Sequence, residues 1–364
     1  MGNSIELRVG DWVEVRGKEE ILRTLDKNGQ LDGLPFMPEM FAFSGRRFRV
    51  YKRAHKTCDT VNDFKGRSMK DAVHLEGVRC NGQSHGGCDA ECLIFWKTVW
   101  LRRSADSVAP TGALLLTSEA CNESDNTSCE CSETDVLFGA VRSGVEDSNG
   151  PLYVCQATQL PAATVPLPWW NFSQYIEDFT SGNVGLGRMA RGFFYMFYKQ
   201  CLINAGIGLG VPLRWLYDKV QGLRGGLPYP RRPGKLPIGE STPAERLDLQ
   251  PDEWIRVKSY EAILATCDKE LNNRGMKFDA EMVPYCGQTH RVLKRVTKII
   301  NEKTGKIQEI KTPAIILDSV ICQARYSECR LFCPRSIYPY WREIWLERVN
   351  VALCNTEESK GSIS

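Results

Sequence analysis

The sequence predicts a protein that is mainly β with some α, built as two homologous SH3-like β-barrel repeats joined by a helical segment. Three observations predict this. Residues 12–53 align without a gap on residues 254–295 at a constant offset of 242, with 17 identities in 42 positions. Both stretches alternate polar and apolar side chains, as half-buried strands require. Between the copies lies an aromatic, glycine-rich run at helical spacing.

The self-match continues beyond its first block. Ala72-Val73-His74-Leu75 faces Ala314-Ile315-Ile316-Leu317, and Cys80 faces Cys322. After a one-residue deletion Cys88 and Cys92 face Cys329 and Cys333, and after an insertion Trp96, Trp100, Leu101 and Arg103 face Trp341, Trp345, Leu346 and Arg348. Each copy has the size of one small domain. The chain therefore divides into a first Cys-rich β repeat (8–106), an acidic, cysteine-containing connection (107–165), the aromatic helical segment (166–225), a Pro/Gly/basic linker (226–248), a second Cys-rich β repeat (249–354) and a tail (355–364).

Within a repeat, Trp12-Val13-Glu14-Val15-Arg16 and Phe48-Arg49-Val50-Tyr51-Lys52 read as strands. Ile21, Leu22 and Leu25 at helical spacing place one short helix after the first strand. The closing 96–101 segment suits strand or helix. A small twisted sheet that closes into a barrel is the architecture this order implies. In the segment between repeats, helices are expected near 174–179, 186–205 and 211–221.

Hydrophobic residues at 42% and charged residues at 25% make a globular rather than a disordered chain. A net charge of +3 gives no whole-molecule field to steer the protein to nucleic acid, which composition disfavours. The first residues show no apolar run behind a positive start, so no secretory signal is expected, and no run of about 18 apolar residues suggests a membrane span. Fifteen cysteines in a chain so read belong to a reducing, cytoplasmic setting, where thiols serve metals or catalysis rather than disulfides.

Zinc needs four soft ligands held tetrahedrally. The first repeat offers Cys80, Cys88 and Cys92, with His55 or Cys58 as a fourth ligand; the second offers Cys322, Cys329 and Cys333, with Cys286 or His290. Two zinc sites are expected, with an iron–sulfur cluster as the alternative because it too is held by thiolates. Cys121, Cys129, Cys131 and Cys155 read as loop cysteines without metal, and Cys201, Cys267 and Cys354 as packing residues. His74 and His85 also lie near the first set, and Glu39 and Glu281 recur as acids that could act as bases or merely pair locally.

The function this supports is a metal-stabilised tandem-repeat binding or scaffold protein. The alternative is a metal-dependent or iron–sulfur redox enzyme with its centre in the first repeat, where Cys58 beside His55 is also a candidate nucleophile. No hydrolase elbow, phosphate loop or dinucleotide fingerprint is present. A protein partner or self-association is expected. The helical stretch 186–205, apolar on most of its circumference, either packs between the repeats or makes a peripheral membrane contact. Arg46, Arg47, Arg49, Lys52 and Arg53 form an ordinary charged strand face.

Overall fold

A computed structural model describes residues 5–62, 65–104, 131–142, 150–199, 210–223, 226–327 and 329–349. It is a mixed architecture of antiparallel sheets and helices. The first unit holds a five-stranded sheet in the order 96–97, 72–75, 47–53, 12–15, 101–103. The second holds one in the order 341–342, 307–317, 289–300, 254–257, 346–348.

The two sheets pair in matching register. Trp12 lies opposite Arg49 and Val13 opposite Phe48, while Trp254 lies opposite Arg291 and Ile255 opposite His290. The short helix Lys18–Leu22 has its counterpart in Tyr260–Leu264, and the 3-10 turn Pro38–Phe43 in Ala280–Tyr285. The closing segment is neither strand nor helix alone. It runs strand, 3-10 turn (Thr98–Trp100), strand, and residues 341–348 do the same through Glu343–Trp345.

That closing turn bends each sheet. It links the two edge strands across four residue steps, at most about 15 Å of chain. Five strands laid flat would separate those edges by about 19 Å. The sheet must therefore curl, although no edge-to-edge pairing closes it among the described residues. Inside the curl, Trp100 stands edge-on to Phe36 at 5.2 Å and Trp345 to Phe278 at 5.4 Å. Each indole donates its buried N–H to a threonine hydroxyl at 3.0 Å, Trp100 to Thr24 and Trp345 to Thr266, which meets the requirement of a buried donor.

The units differ in their central hairpin. In the second, Thr289–Ile300 and Ile307–Leu317 run on as one long ribbon. In the first, the strand Arg47–Arg53 ends and a separate hairpin follows, Lys56–Cys58 with Gly66–Ser68. Each hairpin leaves its own unit and packs on the cysteine loop of the other. From the second unit, Ile300 N–H reaches Cys88 Sγ at 3.4 Å, and Lys298 C=O accepts from Asp89 N–H at 2.9 Å. From the first, the carbonyl of Cys58 accepts from Arg335 at 3.3 Å and Lys56 donates to Leu331 C=O at 2.8 Å. Where the hairpins cross, the Thr60 hydroxyl donates to the Glu302 carboxylate, two positions 242 residues apart.

Helices Ser173–Thr180, Leu186–Phe197 and Gly210–Leu223 make the segment between units. The expected extension of the middle helix through 205 falls on residues that include undescribed ones. Its inner face is packed: Phe193 meets Phe332 at 6.0 Å and Tyr195 meets Tyr326 at 4.9 Å. A buried ion pair fixes the first helix, Lys56 Nζ to Asp178 Oδ2 at 2.5 Å. Burial pushes the Lys56 ammonium down and the Asp178 carboxyl up to about 6, and their mutual attraction only partly offsets this. No described helix is long and apolar enough to cross a membrane.

Candidate metal centre

The turn after Cys80 in the first unit is glycine-built. Gly82 has φ +70°, and a Cβ there would sit 2.1 Å from the Cys88 carbonyl oxygen. Gly86 also has positive φ and lies against the Tyr153 ring. The turn is closed by His85 N–H to Gly82 C=O at 3.0 Å and Cys80 N–H to Cys92 C=O at 2.8 Å. This turns the His85 ring inward, where it is buried, towards Glu39 on the 3-10 turn.

Three donor atoms of metal-ligand chemistry converge there. Ligand atoms of Glu39, Cys80 and His85 lie within 4.8 Å of one another, the sole such group of three or more His, Cys, Asp and Glu side chains among the described residues. The Cys80 thiol donates to Glu39 Oε1 at 3.1 Å, and His85 Nδ1 lies 3.3 Å from the same oxygen. His85 Nε2 faces the Val154 carbonyl at 3.1 Å. A neutral imidazole carries one N–H, and a carbonyl can only accept, so Nε2 holds the proton. Nδ1 then points a lone pair at a carboxylate. His85 Nδ1 and Glu39 Oε2 are both buried without a hydrogen-bond partner. Something positive between Nδ1 and Glu39 Oε1, a proton or a metal ion, removes the repulsion.

Burial pushes the Glu39 carboxyl up, but a protonated His85 donating to it, with the Cys80 thiol, holds the group below its usual range; that proton is what a metal ion would replace. Burial, with Glu39 beside it, pushes the Cys80 thiol far above its ordinary value. A cation arriving here would displace that thiol proton. The His85 N–H on Val154 is the kind of outer contact that orients a histidine ligand. Nitrogen, sulfur and oxygen donors together suit zinc better than the hard ions magnesium or calcium.

Of the residues expected as ligands, Cys80 is in this group, and Cys88 and Cys92 line the adjoining narrow cavity of about 40 Å³. Cys155, read from sequence as a loop cysteine, lines it too, as do Glu302 and Arg335. Burial pushes Cys92 up to about 12 and Cys155 to about 11. His55 lies elsewhere, its Nε2 3.2 Å from the Gln174 carbonyl, and burial pushes it down to about 3. Cys58 crosses to the second unit and packs with Cys322 and Cys333. The Cys333 hydrogen bond, against burial and helped by Arg335 and Arg330, pulls the Cys58 thiol down to about 6. Cys329 lines a different pocket with Trp169 and Lys199. Cys286 edges the second core and His290 stands 5.8 Å from Tyr285, so neither joins a ligand group. Cys131 and Cys267 are buried in cores, while Cys121, Cys129, Cys201 and Cys354 lie outside the described residues.

The second unit has the same carboxylate in a different setting. Glu281 accepts from Arg325 N–H at 3.0 Å, Tyr326 N–H at 2.5 Å and the Ser327 hydroxyl at 3.2 Å. Ser327 stands where His85 stands in the first unit, 242 residues on. Here the buried acid is satisfied by the chain itself.

From sequence His85 was one of several histidines near the first cysteine set and Glu39 an acid that could act as a base or pair locally; nothing linked that acid, 41 positions upstream, to the cysteine loop. The one available signal was a difference between copies, a histidine in one loop and none in the other. No family model matches this chain, and no curated protein is similar to it.

Proposed function

We propose that this protein is a two-unit scaffold stabilised by one metal ion, zinc, held by Glu39, Cys80 and His85. The observation that carries the reading is the buried, unpartnered Nδ1 of His85 facing the Glu39 carboxylate at 3.3 Å, with the Cys80 thiol on the same oxygen. Such orphaned groups are costly without a cation or a proton. The adjoining cavity admits one or two waters, one of which would complete the coordination, but at about 40 Å³ it is far below a substrate pocket. That favours a stabilising ion over a turnover site.

The scaffold itself is two diverged copies of one SH3-like module around an internal two-fold. Matching strand order and register, the paired indole–threonine contacts and the meeting of Thr60 with Glu302 support this, since equivalent residues touch only at a two-fold axis.

Metal analysis of the full chain purified without added metal tests the assignment. One equivalent of zinc per chain, lost in His85→Ser, is the expected result. Two equivalents, or zinc retained in that variant, would overturn it. An iron–sulfur cluster is the second reading, because Cys80, Cys88, Cys92 and Cys155 share one cavity without single-ion spacing. Iron with visible absorbance would establish that reading instead.

A further inference from the structure

The three helices between the units carry apolar side chains on their outer faces as well as their inner ones, and the first and last turn polar ones inward. On Ser173–Thr180 the polar Gln174 and Asp178 are buried, while Phe172 is 71% exposed and Ile176 65%. On Gly210–Leu223, Asp218 faces inward to Tyr229 N–H and to Arg232, both at 2.6 Å, and Arg214 lies over the Tyr229 ring. Its outward residues are Val211, Trp215, Leu216, Val220 and Leu223. The middle helix buries Gly192 and Tyr195 and exposes Leu186, Phe194 and Phe197. A helix with one face on a core and the other in water keeps its outer face polar.

These helices form one layer. Tyr175 of the first meets Phe193 of the middle at 4.9 Å, and Tyr198 following the middle helix meets Tyr217 of the last at 5.7 Å. All three seat their inner sides on Leu331, Phe332, Tyr326 and Tyr229. Their apolar outer sides, with Trp169 and Trp170 at the margin, make a surface larger than scattered exposed side chains explain.

Charge indicates what covers it. The layer's carboxylates are each paired with a base from outside it: Glu177 with Arg53, Asp178 with Lys56 and Asp218 with Arg232. The charged side chains left exposed on the three helices are both cationic, Arg191 and Lys219. A second copy would bring cations against cations. We infer that this layer rests on an anionic lipid surface, its apolar side chains among the acyl chains and its tryptophans, Arg191 and Lys219 at headgroup level.

Vesicle sedimentation of the full chain tests it, with phosphatidylcholine alone and with phosphatidylserine added. Binding should appear on the anionic vesicles, weaken with salt, and shift the tryptophan emission to the blue. The double variant Trp215→Ser/Leu223→Ser should abolish it with the melting temperature retained, since both residues face solvent. Arg191→Gln and Lys219→Gln should each weaken binding roughly fivefold on anionic vesicles and leave neutral ones unaffected. No sedimentation at low salt would overturn the inference. A concentration-dependent dimer formed without lipid and abolished by the Trp215/Leu223 variant would replace it with self-association.

Discussion

Glu39 and Glu281 occupy matching turns in matching sheets, and their surroundings are opposite. Glu281 is capped by two backbone N–H groups and a serine hydroxyl. Glu39 faces a thiol and the bare nitrogen of a histidine. A buried carboxylate needs donors, and a chain can supply them from its own backbone or leave the place to a cation. The second unit does the former; on the proposed reading the first does the latter. The second unit's long hairpin, whose Ile300 N–H reaches Cys88 Sγ, meanwhile covers the loop that carries Cys80 and His85. On that reading one unit holds the ion and the other shields it.

The comparison breaks most visibly at the metal. His85→Ser, which gives the first unit the second unit's residue, should remove zinc and cost more than about 4 kcal/mol in denaturant unfolding, as loss of a bound metal does. Cys322→Ser should leave the zinc content unchanged. If both variants lose metal alike, the units are equivalent and the contrast fails.

Next in size is the buried lysine. Lys56 is enclosed with Asp178, whereas Lys298, at the matching position, is only partly buried. Lys56→Met should cost roughly 3–5 kcal/mol because it strands the Asp178 carboxylate. Lys298→Met should stay within about 0.5 kcal/mol. Urea midpoints of the two variants measure this directly, and equal costs would contradict it.

Acid should act on the first unit more than on the second. His74, fully buried, is pushed down to about 3 by desolvation, while its counterpart is Ile316. The folded state keeps His74 neutral, and the unfolded chain binds its proton below about pH 6.5. More protons on the unfolded state make stability rise with pH across that window, so it is lost as pH falls from about 6.5 towards 3. His74→Ile should flatten this slope by up to about 1.4 kcal/mol per pH unit. Unfolding curves at several acidic pH values, wild type against variant, show the slope; parallel curves would exclude the effect.

The smallest effect belongs to the crossing point. Thr60→Val removes the hydroxyl that donates to Glu302 and accepts from Arg335 at 2.6 Å, and should cost about 1–2 kcal/mol, with Arg335 still 3.3 Å from the carboxylate. A double-mutant cycle with Glu302→Gln isolates the coupling.

The frame was largely legible. Residues separated by 242 positions and alternating in character pointed to strands at matching places in the two stretches, because strand periodicity is a local property of a chain. The helices between them were legible too, as was the apolar excess of the middle one. The ligand set was not. Spacing grouped cysteines with their sequence neighbours, whereas Cys58 left its own unit on a hairpin and Cys155 entered the first unit's cavity from beyond it.

By itself the sequence determined the first strands of each unit and the short helices, since each depends on side-chain pattern over a few residues. Only the tertiary structure decided which donors meet. That depends on hairpins crossing between units and on a glycine turn aiming His85 at an acid 46 positions earlier, and no local pattern encodes such a meeting.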